Sequence, residues 1–93
     1  AEVVEARVRA HRNLALGLVA YIDGDPLGAL EKMKAASRDG PELAMVHVYL
    51  GSLYYLFQQV DPALAEWKKA LDLDPSNETV RQAIKQHSSE RRR

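Results

Sequence analysis

The sequence predicts an all-α fold, and three observations carry that prediction. Apolar residues recur at three- to four-residue steps through long proline-free stretches, which is the spacing of a helix face. Helix-stopping and helix-starting residues gather between those stretches, in "DGDP", "RDGP" and "LDLDPSN". The chain also matches itself when displaced by 34 residues, a period that implies stacked units of one design.

Five helices are expected in order. Glu2 to Ile22 contains no proline, and Val4, Val8, Ala15, Leu18 and Ile22 form one stripe, so an amphipathic helix of about five to six turns is predicted. Asp25 is placed to cap the second helix, with Pro26 at its first position, where a missing N–H costs nothing. Leu27, Leu30 and Met33 are its predicted stripe. "RDGP" at 38–41 stops that helix and starts a third, predicted over about Pro41 to Gln58. Asp61 and Pro62 repeat the cap-plus-proline pattern and open a fourth through Ala63, Leu64, Trp67, Ala70 and Leu71. A polar fifth helix is predicted from about Asn77 to Glu90, with Val80, Ala83 and Ile84 on its apolar face.

The third helix holds the one ambiguous segment, "VYLGSLYYL" at 48–56. Its residues favour sheets, and a central glycine weakens a helix by roughly 1 kcal/mol against alanine. Spacing decides for a helix. Met45, Val48, Tyr49, Ser52, Tyr55 and Leu56 share one face, while Leu50, Leu53, Tyr54 and Phe57 share another. A helix apolar nearly all round is normally buried on both sides.

Ninety-three residues amount to a single domain. With 46% hydrophobic and 28% charged residues, the composition is that of a soluble globular protein, for which a cytoplasmic location is expected. There are 13 acidic and 13 basic residues, so no overall field draws the chain to nucleic acid or anionic lipid. The absence of cysteine excludes a disulfide framework and thiolate metal or redox sites. No apolar run approaches the ~20 residues of a membrane span, and "AEVVEARVRA" lacks the apolar core of a signal peptide. A first residue other than Met predicts a processed chain or a piece of a longer protein.

The 34-residue displacement pairs Ala10 with Ala44, Leu16 with Leu50, Gly17 with Gly51 and Tyr21 with Tyr55. It also pairs Ala29 with Ala63, Leu30 with Leu64, Ala36 with Ala70 and Pro41 with Pro75. On these residues the chain resembles the tetratricopeptide repeat (TPR) family, whose 34-residue helix–turn–helix has Leu-Gly, Tyr, Ala, Phe and Pro landmarks. In residues 44–77, Leu50-Gly51, Tyr54, Ala63, Trp67 (in the Phe slot), Ala70 and Pro75 fall at the family's spacing, and His47 replaces its early Trp. Residues 10–43 match more loosely: Leu16-Gly17, Ala29, Ala36 and Pro41 agree, but Ala20 and Met33 occupy the Tyr and Phe slots. The resemblance implies a TPR solenoid of about five antiparallel helices, an α-α superhelix. Its parts are an extension at 1–9, repeats at 10–43 and 44–77, and a capping helix at 78–93. Gly17, Ala29, Gly51 and Ala63 are expected where the helices of a unit cross closely. Leu16, Leu50, Tyr54 and Trp67 are expected to fill the space between units. Each unit is too small to bury its own apolar face, so neighbours must stack. Val3, Val4 and Val8 lie beyond the repeat frame and are expected to pack on the rest of a longer protein or on a partner.

In this family the first helix of each unit lines a concave groove. The resemblance therefore assigns partner binding to His11, Leu14, Ala15, Leu18, Tyr21 and Ile22 in the first unit. In the second it assigns Met45, Val48, Tyr49, Ser52, Tyr55 and Leu56. A groove so lined is expected to accept an apolar or amphipathic segment of another protein, and tyrosine and methionine supply large, adaptable contacts. The competing reading is that the closing helix covers some of these residues or that they are scattered on the surface. A known group of the family clamps C-terminal carboxylates with Lys, Asn and Arg; Leu14, Leu18 and Tyr49 stand at those places here, so such a clamp is not expected. His11, His47 and His87 have no acidic or cysteine partner at ligand spacing, which predicts no metal site. No nucleophile-and-base grouping, paired carboxylates or phosphate loop is present, so neither an enzyme nor a cofactor or small-molecule substrate is expected. The "ERRR" run at 90–93 is read as solvating a chain end rather than binding nucleic acid. The charges of "EWKKALDLD" are read as a solvated helix face. An interaction module or scaffold is the leading expectation. A homo-oligomeric assembly element, or a fragment of a longer array, is the alternative.

Overall fold

A computed structural model describes residues 2–90, which form five helices and, among those residues, no strand. They are α1 (Glu2–Ile22), α2 (Pro26–Asp39), α3 (Ala44–Leu56), α4 (Val60–Leu73) and α5 (Glu78–His87). α1 packs on α2 and α3 on α4 as helical hairpins; α2 then joins α3, and α5 closes on α4. The arginines of the "ERRR" run lie outside the described residues.

The two hairpins repeat three of their four helix boundaries 34 residues apart, the start of the first helix being the exception: Ile22 and Leu56 end their first helices. Pro26 and Val60 begin their second helices, and Asp39 and Leu73 end them. The turns agree in detail. Gly24 takes the left-handed conformation (φ 80°), with Asp25 N–H donating to Ala20 O at 2.8 Å and Gly24 N–H to Tyr21 O at 3.2 Å. Thirty-four residues on, Gln58 takes it (φ 63°), with Gln59 N–H donating to Tyr54 O and Gln58 N–H to Tyr55 O, both at 2.9 Å. This pair of bonds satisfies carbonyls that a helix end otherwise leaves open.

Local chemistry accounts for most boundaries and corrects two. The Asp25 carboxylate accepts from Gly28 N–H at 3.0 Å, as a cap should. Asn77 caps α5 in the same way, accepting from Val80 N–H at 3.1 Å. Asp61 is not a cap: α4 begins at Val60 after Gln59, with no side-chain cap. Asp61-Pro62 lies 36 residues after Asp25-Pro26, two beyond the repeat, so Pro62 falls inside the first turn, where a missing N–H is still harmless. The third helix begins at Ala44 rather than Pro41, because 41–43 form a turn closed by Leu43 N–H donating to Gly40 O at 3.1 Å.

Two clusters form the core. Ala29, Met33, Ala36, Val46, Leu50 and Leu53 make the first, between α2 and α3. Ala63, Leu64, Trp67, Ala70 and Val80 make the second, with Ala83 and Ile84 of α5 packed against it. Tyr54 touches both, and the Lys34 ammonium lies 5.8 Å from its ring centroid. The strand-like segment is thus helical because Leu50, Leu53 and Tyr54 are enclosed from two sides, which outweighs propensity.

Close helix approach selects small residues. Gly17, Ala29, Gly51 and Ala63 are all buried. A Cβ on Gly51 would lie 2.3 Å from Trp67 Cδ1 and Nε1, so the indole rests directly on the glycine. The same requirement turns α1 differently from its hydrophobic pattern. Its buried residues are Ala10 and Gly17, while Val4, Val8 and Ile22 are 61%, 58% and 80% exposed. Leu16, expected between units, is 44% exposed, because the face that meets α2 is the small-residue face next to it. Leu27 is likewise 69% exposed, leaving Leu30 and Met33 to fill the α2 stripe.

Candidate protein-interaction surface

The residues assigned to a groove fall into two groups. Leu14, Leu18 and Tyr49 are half-buried against the first core cluster, and Val48 and Tyr55 against the second. They are foundations more than free contacts. His11, Ala15, Tyr21, Ile22, Met45 and Leu56 are exposed, and Ser52 is half-buried. The two helices that carry them are joined by an edge-to-face contact of Tyr21 with Tyr49, ring centroids 6.3 Å apart. That contact links the last turn of α1 to the middle of α3.

Tyr55 has a second engagement, of the kind the closing-helix reading foresees. Its ring lies 4.2 Å from that of His87 and 5.9 Å from that of Trp67. Its hydroxyl donates to Glu90 Oε1 at 3.0 Å, and His87 Nδ1 reaches the same oxygen at 3.0 Å. The bond to Glu90, followed by burial and the carboxylate's charge, raises the Tyr55 pKa above its ordinary value of 10.0. An open pocket of about 410 Å³ lies beside it, lined by Tyr55, Leu56, Gln58, Val60 and Glu90. Glu90, just past the end of α5, therefore forms one wall of this pocket.

His47 is the polar residue whose role sequence spacing did not disclose. It is buried, 3% exposed, on the face of α3 turned to α4. Nδ1 lies 2.7 Å from Glu66 Oε1, and Nε2 lies 2.7 Å from the Pro41 carbonyl oxygen. Lys69 Nζ holds the other Glu66 oxygen at 3.1 Å. Glu66 is thus half-buried at a helix crossing, not on the solvated face expected for it. The signal was available in principle: a histidine on an inward face requires a polar partner from the opposing helix. The arrangement ties the 41–43 turn, α3 and α4 together, and it commits both ring nitrogens. Among the described residues no group of three His, Cys, Asp or Glu is placed to hold a metal ion.

No helix among the described residues is long and apolar enough to cross a membrane. A comparison with models of known protein families finds none that matches this chain.

Proposed function

We propose that this chain is a tetratricopeptide-like interaction module that binds an apolar or amphipathic segment of another protein. The observation that carries the reading is the row of exposed apolar residues on the α1 and α3 sides of Tyr21–Tyr49. Tyr21, Ile22, Met45 and Leu56 are 45%, 80%, 48% and 56% exposed over a well-packed base. Large side chains held out on rigid helices supply contact area at little ordering cost, which is the chemistry of helix-in-groove recognition. The common 34-residue spacing of helix boundaries and turns supports the repeat reading. Leu14, Leu18 and Tyr49 offer no polar clamp for a terminal carboxylate, so side-chain burial is the mode of binding proposed.

Selection from a displayed library of amphipathic helical peptides tests this. Selected peptides should bind the wild-type chain and lose at least tenfold in affinity with Ile22→Glu or Met45→Glu. They should be indifferent to Asp72→Lys on α4. Equal binding by the wild type and both groove variants would remove the reading.

A further inference from the structure

Beyond the groove, we infer that the N-terminal end of α1 is a self-association surface, on which two copies of the chain pair antiparallel. α1 is longer than the helix it packs on. Its last tie to the end of α2 is Arg9 to Asp39, Nε to Oδ2 at 3.4 Å, with Arg7 reaching Glu42 at 3.9 Å. Glu2–Ala6 continue past these ties as more than one turn of helix. Val3 and Val4 on this end, and Val8 between the two tied arginines, are 68%, 61% and 58% exposed. Valine is a poor choice for an isolated helix end in water, since β-branching costs rotamer freedom and the end has little tertiary support. Burial under a covering surface offsets these costs.

Spacing and charge choose a second copy as the cover. Val4, Val8, His11, Ala15, Leu18 and Ile22 follow one another at steps of four and three, the seam of a two-helix pairing. Glu5 and Arg12 flank that seam at equivalent places one heptad apart. Both are exposed, and neither has an ion-pair partner among the described residues. An antiparallel pair that sets Val4 opposite Ala15 and Val8 opposite His11 of the second copy brings Glu5 to Arg12 twice, by symmetry. A parallel pair instead sets Arg7 against Arg12, like charge on like. The antiparallel register covers His11 and Ala15 but leaves Tyr21 and Ile22, with Met45 and Leu56 on α3, outside the seam, so that end of the proposed groove stays accessible. Val4, Val8, His11 and Ala15 are all exposed, and with the stems of Glu5 and Arg12 they make a small contact, of the weak, concentration-dependent kind.

Sedimentation velocity up to several hundred micromolar tests the proposal. The wild-type chain should shift toward dimer with concentration. Val8→Glu, at an exposed position of α1, should stay monomeric with unchanged helical circular dichroism. Glu5→Arg should weaken dimerisation about tenfold, and Glu5→Arg with Arg12→Glu should restore it to within about threefold. A wild-type chain that remains monomeric throughout overturns the proposal and leaves the valine ridge to a different protein. Failure of the double exchange to recover what Glu5→Arg loses overturns the register.

Discussion

Gly17 and Gly51 occupy equivalent places in the two hairpins, yet the same substitution should affect them differently. A methyl group at Gly51 would lie 2.3 Å from two indole atoms of Trp67 and 2.8 Å from a third. Trp67 is 5% exposed, with the rings of Tyr55 and His87 each 5.9 Å from its own, so it has little room to withdraw. Overpacking of this kind costs about 1–3 kcal/mol, while alanine in place of glycine returns roughly 0.5–1 kcal/mol through helix propensity. Gly51→Ala should therefore lose about 1–2 kcal/mol, which lowers Tm by roughly 5–10 °C in a domain of this size. Gly51→Leu should lose several kcal/mol. At Gly17 the nearest atom to an added methyl is the terminal Cε of Met33 at 2.9 Å, a flexible side chain whose Sδ and Cγ are at 3.3 Å. Met33 can give by a few tenths of an ångström, so Gly17→Ala should stay within about 1 kcal/mol of wild type. Urea unfolding followed by circular dichroism at constant m-value measures both. If Gly51→Ala is as stable as wild type, or Gly17→Ala is the more damaging, then Trp67 does not rest on Gly51 as described.

Three further outcomes are expected. Glu66→Ala should cost about 1–3 kcal/mol by denaturant unfolding, because it strips the buried His47 of a hydrogen-bond partner; no loss would place that ring nitrogen in contact with water. Gln58→Gly should stabilise by roughly 0.5–1 kcal/mol, since a non-glycine residue holds a left-handed φ of 63° there; destabilisation would mean that the turn closing α3 is formed otherwise. Tyr55 has its pKa raised in the folded state, so its stabilising effect is complete below the ordinary value of 10.0 and is lost as pH rises through the higher folded value. A phenolate absorbance titration, differenced against Tyr55→Phe, should show the late ionisation, and Glu90→Gln should bring it earlier; an unmoved midpoint would detach Glu90 from Tyr55.

Much of the architecture follows from local rules that the sequence states outright. Three- to four-residue spacing, Asp25 with Pro26, and the loops around Gly40 and Pro75 are interactions within a few residues of chain, so helix order and all-α class needed no tertiary information. The small residues at Gly17, Ala29, Gly51 and Ala63 likewise announced close crossings. Three things depended on the folded whole. The orientation of α1 did, because closeness to α2 favours Ala10 and Gly17, which leaves Val4, Val8 and Ile22 outward while Leu14 and Leu18 pack at the edge of the first core cluster. The pairing of His47 with Glu66 did, since a separation of 19 residues carries no local signal and only the crossing of α3 with α4 brings them to 2.7 Å. The character of the candidate surface did as well. Spacing alone puts Tyr55 in one row with Tyr49 and Met45, but the end of α5 determines that Tyr55 bonds to Glu90 while Met45 and Leu56 remain open. Helices are specified by neighbours in sequence; which of their faces remain exposed is specified by what else packs there.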